Sequence, residues 1–170
     1  MLSRMTLAPI LLRKTRTFWQ LPGFTKLWLL PTWMLLGFSR ALIMVVSFKR
    51  LAPRLGIHDG ANPWVPLLND SQELRALEIG RLVRLAACYT PWKSNCFPQA
   101  VTARLLLGLY RIPYALYFGL ARDLAAGKMQ AHAWVAAGRV RVTGGAGFNR
   151  FTVVGCFVSR QLADGRAESS

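Results

Sequence analysis

From Leu27 to Phe38 the chain carries no charged side chain, and after Ser39 and Arg40 it is uncharged again from Ala41 to Phe48. An apolar run of that length approaches the roughly 20 residues needed to cross a bilayer. Two residues argue against a span. Pro31 breaks its first turn, and Arg40 at depth would cost about 2.5–3.5 kcal/mol. Three placements stand side by side for Leu27–Phe48: a span, a basic amphipathic helix lying in a membrane interface, and helices packed on the core or on a partner protein. The interfacial placement draws on Trp19, Trp28 and Trp33 with Lys26, Lys49 and Arg50 around them. A secretory signal peptide is not expected, because the apolar stretch lies away from the first residues and no small-residue cleavage site follows it.

Residues 52–66 are rich in Pro and Gly and read as a linker. Asp70 and Glu73 then have capping-box spacing ahead of a periodic segment. Ala76, Ile79, Val83 and Ala86 fall on one face of the predicted helix, with Glu78, Arg81 and Arg84 on the other. Tyr89–Asn95 is a loop, and Cys96–Leu109 a second helix capped by Ser94 or Asn95. Phe97, Val101, Leu105, Leu106, Leu107 and Leu109 make this helix apolar on nearly every side, as in a buried one.

After Pro113 the period becomes that of strands: Tyr114–Leu120, Gln130–Ala136, Arg139–Thr143 and Phe151–Val158. Ala137-Gly138 suits a tight turn between the second and third. Helices followed by an antiparallel meander predict an α+β fold. The expected layout is a basic, apolar helical segment over 1–60, a domain over 65–160 and a disordered tail over 161–170.

Composition narrows the chemistry. The chain has 170 residues, enough for one domain, and 53% are hydrophobic, which excludes a disordered polycation. Lys and Arg number 22 against 7 Asp and Glu, for a net charge of +15. That surplus attracts polyanions such as nucleic acid, anionic lipid or an acidic peptide. Acids are too few and scattered for paired-carboxylate or two-metal mechanisms. Cys88, Cys96 and Cys156 contain no CxxC, and His58 and His132 are the sole histidines, so neither a disulfide framework nor a metal centre is expected. No phosphate-binding or dinucleotide fingerprint is present, so no cofactor is expected either. A nucleic-acid partner would rest on charge alone, without a recognisable motif.

Cys96 opens a predicted helix, where unpaired backbone N–H groups and the positive end of the dipole favour a thiolate nucleophile. The same N–H groups suit an oxyanion. Against this stands the ordinary buried cysteine. A nucleophilic thiol needs a base. His58 lies in the Pro/Gly stretch, where an idle surface histidine is the default. His132 lies in a strand between Ala131 and Ala133, which leave room around the ring, with Trp134 expected on the opposite face. If Ala137-Gly138 is the turn, Ala136 pairs with Arg139 and His132 falls opposite Thr143. The Thr143 hydroxyl would then orient the imidazole, or a bulge would bring Gly144 there instead. Neither is a carboxylate. Asp123 is the one acid in the strand region and ranks low, being in a loop.

The segments SNCFPQAVTARLLL, RIPYALYFGLARD, AHAWVAAGRVRVTGG and FNRFTVV resemble, in order and spacing, the transglutaminase-like cysteine proteases of lasso-peptide biosynthesis. These are stand-alone leader peptidases related to the C-terminal domain of microcin-processing proteins. The resemblance covers about residues 65–160. It implies a papain/transglutaminase-like core, Cys96 as nucleophile and His132 as base. It also implies a precursor leader peptide as substrate, and a small leader-recognition protein and an ATP-dependent macrolactam synthetase as partners. The expected location is cytoplasmic, with a membrane-surface contact as an option that rests on the tryptophans and basic residues around the first apolar run. Many such proteins carry an aspartate twelve residues after the histidine, where this chain has Gly144. A non-catalytic scaffold that binds precursor or synthetase is the alternative that this departure supports.

Overall fold

The computed structural model describes residues 19–62, 64–123, 127–145 and 147–167. A long helix, α1 (Gly23–Val45), comes first. Its buried residues are Thr25, Thr32, Leu36 and Ser39, mostly small, which lets it lie close to its neighbours. Ser39 Oγ shares a buried hydrogen bond with Thr102 Oγ1 at 3.2 Å. Phe24 and Trp28 set their rings edge-on to Tyr110. Of the three placements open to Leu27–Phe48, the structure shows a helix packed on the core along one side and bare along the other. Pro31 is on the exposed side, where the carbonyl it leaves unpaired faces away from the core.

The expected linker is partly structured. Phe48–Leu55 forms α2 and Ile57–His58 forms β1, an edge strand. Pro and Gly suggested a loop, but Leu51 and Leu55 are buried and hold the helix to the core. Gly56 has a geometric reason to be glycine: φ is +147°, and a Cβ there would sit 2.4 Å from the carbonyl oxygen of Val158.

α3 (Asp70–Cys88) is capped one residue earlier than Asp70 and Glu73 suggested. Asn69 Oδ1 accepts from the backbone N–H of Gln72, and Gln72 Oε1 accepts from that of Asn69. Asp70 and Glu73 instead occupy the first turn, where acids suit the dipole. Ala76, Ile79, Val83 and Ala86 are fully buried. They meet α4 (Cys96–Leu109), whose Ala100, Val101, Ala103, Leu106 and Leu107 are buried in the same core as Leu36, Leu51 and Leu55. The first helices therefore share one core with the rest of the chain.

The sheet contains β1, β2 (Ala115–Asp123), β3 (Lys128–Ala137), β4 (Val140–Arg141) and β5 (Thr152–Val158), in the order β1-β5-β2-β3-β4. All pairs are antiparallel, but the sheet is not a simple meander: β5 crosses back to the free side of β2. The cause is β2 itself. Ala115, Leu116 and Tyr117 are all buried, so both faces of this strand are covered and it takes the central place.

The β3–β4 register also differs from expectation. Ala137 pairs with Val140 and Ala136 with Arg141, so the turn is Gly138-Arg139. Gly138 supplies the positive φ of +58°. The tail expected to be frayed is helical over Arg160–Ala167 (α5). Ser159 accepts from Leu162 and Ala163 at its start, and those two residues pack against a cluster containing Tyr117, Trp134 and Cys156.

Candidate active site

Cys96 is the first residue of α4, directly after the N-cap Asn95, and is half-buried. It lines a cavity of about 590 Å³ together with His132 from β3. Most of the remaining wall is apolar, including Met44, Phe48, Phe97, Phe118 and Leu120. The fold thus brings the expected pair to one cavity. Among the described residues no hydrogen bond joins Cys96 to His132.

The loop before Cys96 is fastened from several sides. Thr90 Oγ1 meets the carbonyls of Ala87 and Trp92 and the hydroxyl of Ser94 at 2.9–3.0 Å. Gln99 Nε2, inside α4, donates back to the Ser94 carbonyl at 2.7 Å. α1 holds the middle of the loop. Trp33 packs on Trp92 at 4.9 Å between ring centroids, and Arg40 donates to the Lys93 carbonyl. Gly37 makes room, since a Cβ there would lie 3.0 Å from the Trp92 ring. Sequence reasoning missed this clamp. Gly37 and Arg40, one turn apart on a helix otherwise apolar there, were its visible trace.

The imidazole of His132 stacks on Phe151 at 4.9 Å and on Trp134 at 5.9 Å. Trp134 therefore shares the face of His132, as positions two apart in a strand must, and is not on the opposite face. Phe151, just before β5, was likewise not foreseen as a neighbour of the ring. His132 Nε2 lies 2.9 Å from the carbonyl oxygen of Gly144, with Nε2–H as donor. A carbonyl only accepts, so this contact fixes the ring as the Nε2–H tautomer when neutral and leaves the Nδ1 lone pair free.

Thr143 sits elsewhere. Its Oγ1 accepts from the Val135 N–H at 3.2 Å, and it is buried there. The N–H groups of Val142 and Thr143 both donate to the Val135 carbonyl, which marks a bulge. Beyond it Gly144 lies against the backbone of Trp134, and its carbonyl reaches the imidazole. The position cannot carry a side chain. Its φ is +96°, and a Cβ would fall 2.3 Å from Trp134 Cβ and 3.3 Å from His132 Nε2.

The other candidates stand apart. Cys156 is fully buried, and burial first, then the Asp59 charge, push its thiol up to about 12 against a lowering by the Tyr117 hydrogen bond. Cys88 is exposed at the last residue of α3. His58 packs edge-on to Phe157 in β1. Asp123 ends β2, paired with Lys128.

No curated protein and no solved structure matches this chain significantly. A family profile, that of the transglutaminase-like superfamily, matches residues 42–156, from within α1 to within β5. That span contains Cys96, His132 and every residue lining the cavity except Arg40, together with the helix-then-antiparallel-sheet arrangement described above. The chain belongs to the transglutaminase-like superfamily, which often holds cysteine proteases.

Proposed function

We propose that this protein is a cysteine peptidase that removes the leader peptide from a ribosomally made lasso-peptide precursor, with Cys96 as nucleophile and His132 as base. The observation that carries the reading is the single cavity shared by the half-buried thiol at the start of α4 and the imidazole tied to Gly144. The motif resemblance supplies the substrate class.

The chemistry follows from the groups present. His132 Nδ1 takes the thiol proton, and the thiolate attacks the carbonyl carbon of the scissile peptide bond. The oxyanion is held by backbone N–H groups at the start of α4, where no intrahelical acceptor exists for them. The imidazolium then protonates the leaving amine, releasing the core peptide. Water, losing a proton to His132, cleaves the acyl-enzyme and frees the leader carboxylate. The Gly144 carbonyl keeps the ring in the required tautomer, the orienting half of an aspartate's role, but adds no negative charge to stabilise the imidazolium. The apolar walls around Phe48, Phe97 and Phe118 suit an apolar side chain beside the scissile bond. A leader-recognition protein presents the precursor in the cytoplasm, and the macrolactam synthetase consumes the freed amine.

The test is cleavage in a system reconstituted with the precursor and its recognition protein. Cys96→Ala and His132→Ala are each expected to abolish leader removal while circular dichroism stays unchanged. If both variants cleave normally, the peptidase reading falls. If the wild-type protein cleaves nothing yet is needed for ring closure by the synthetase, the scaffold reading takes its place.

A further inference from the structure

Among the described residues the outward side of α1 has no partner. Leu27, Leu30, Met34 and Phe38, at helical spacings of three and four, and Val45, two turns past Phe38, with its neighbour Met44 are 61–85% exposed. Only 17% of the helix's most apolar window is buried, although the helix is long and apolar enough to cross a membrane. A continuous exposed apolar patch of this kind marks an interaction surface. Spanning is ruled out for this arrangement, because the other side of α1 is occupied by the Ser39–Thr102 hydrogen bond and the Trp33, Phe24 and Trp28 ring contacts.

Three observations select the occupant. First, Arg40, the one charge within the run, turns its guanidinium to the Lys93 carbonyl, so the exposed positions from Leu27 to Val45 carry no side chain that forms hydrogen bonds. Protein interfaces of this size ordinarily hold polar groups that set register, and a fluid hydrocarbon phase needs none. Second, a crevice of about 760 Å³ between α1 and α3, walled by Leu29, Leu30, Trp33 and Ala86 with Lys26 beside them, has the apolar body and cationic edge that an acyl chain with an anionic headgroup requires. Third, the charge is one-sided. Lys26 lies near Trp19 at one end of the stripe, and exposed Lys49, Arg50 and Arg54 follow at the other, with Asp59 the lone acid in residues 19–62.

We propose that the exposed face of α1 docks flat on a bilayer surface bearing anionic lipid headgroups. The apolar stripe enters the headgroup–acyl boundary and the flanking cations pair with phosphate. Met44 belongs both to the stripe and to the wall of the Cys96 cavity, so docking sets that cavity beside the membrane surface.

The test is flotation of the full-length protein with vesicles of phosphatidylcholine alone or mixed equally with phosphatidylglycerol, at low and high salt. The comparison is a triple variant, Leu30→Ser, Met34→Ser and Phe38→Ser, which changes no charge and alters only exposed positions. Wild-type protein is expected on the mixed vesicles, partly retained at high salt, with the triple variant bound at least about tenfold more weakly. Matching thermal melts of the two proteins show that the fold survives. Absence of vesicle binding overturns the proposal. So does binding that the triple variant shares in full, because charge alone then explains it. A wild-type dimer in light scattering that the triple variant dissolves also overturns it, by assigning the face to a second copy.

Discussion

His132 places its Nε2 2.9 Å from the carbonyl oxygen of Gly144, twelve residues further along the chain. The acceptor is a backbone atom delivered by a bulge, at a residue whose backbone geometry admits no side chain. Gly144→Ala is therefore expected to destabilise the fold by more than about 1 kcal/mol, since φ is +96° and the new Cβ collides with Trp134. Gly144→Asp is expected to lower peptidase activity as well, despite supplying a carboxylate. Urea denaturation and cleavage rates check both. An aspartate variant more active than wild type would show that the glycine is a defect and not the acceptor's support.

Phe151 covers the imidazole at 4.9 Å, in a stack that also includes Trp134. Phe151→Ala is expected to cut the cleavage rate about tenfold or more by freeing the ring to turn away from its tautomer-fixing contact. Phe151→Tyr, which keeps the stack, is expected to retain most of the rate. The pair of rates, with binding of precursor measured separately, checks this.

Much of the helical half of the fold can be read from residue order. Ala76, Ile79, Val83 and Ala86 are one turn or so apart, and all are buried. Cys96–Leu109 is apolar all round because it lies between α1, α3 and the sheet. Strand order was hidden, because nothing near Thr152–Val158 in sequence reveals that its partner is β2 and not β4. Pro53 and Gly56 suggested a linker, since composition does not register that Leu51 and Leu55 are buried or that Gly56 touches the Val158 backbone. Of the candidate site, the sequence displays Cys96 and His132, which line one cavity, and hides their surroundings. Sequence displays side-chain acceptors, and the one used here is a carbonyl. The Arg40–Lys93 contact was equally hidden, joining a helix and a loop that are distant along the chain.

That contact fastens the loop ahead of Cys96. Arg40→Met keeps the stem and removes the donors, so it is expected to lower the cleavage rate several-fold while costing only about 1 kcal/mol of stability at this half-exposed position. Single-turnover cleavage and urea melts separate the two effects.

Cys156 and Tyr117 are both pushed up to about 12, mainly by burial. Each keeps its proton in the folded protein after the unfolded chain has lost it, the ordinary values being 9.0 for the thiol and 10.0 for the phenol. Their contribution is thus full below pH 9 and lost as the pH climbs toward 12, at about 1.4 kcal/mol per pH unit for each group. Denaturation at rising pH is expected to show this decline, and Cys156→Ala to make it shallower. Iodoacetamide on the folded protein is expected to label Cys88 and Cys96 and to spare Cys156.

The central claim is a covalent one: Cys96 carries the leader as a thioester. Intact-protein mass spectrometry of the wild type mixed with precursor and recognition protein, quenched early, tests it most directly. The expected result is a species heavier by the leader peptide less one water, mapped by digestion to Cys96 and absent from the Cys96→Ala and His132→Ala proteins. Leader removal that proceeds in Cys96→Ala, with no adduct in the wild type at any quench time, would contradict it.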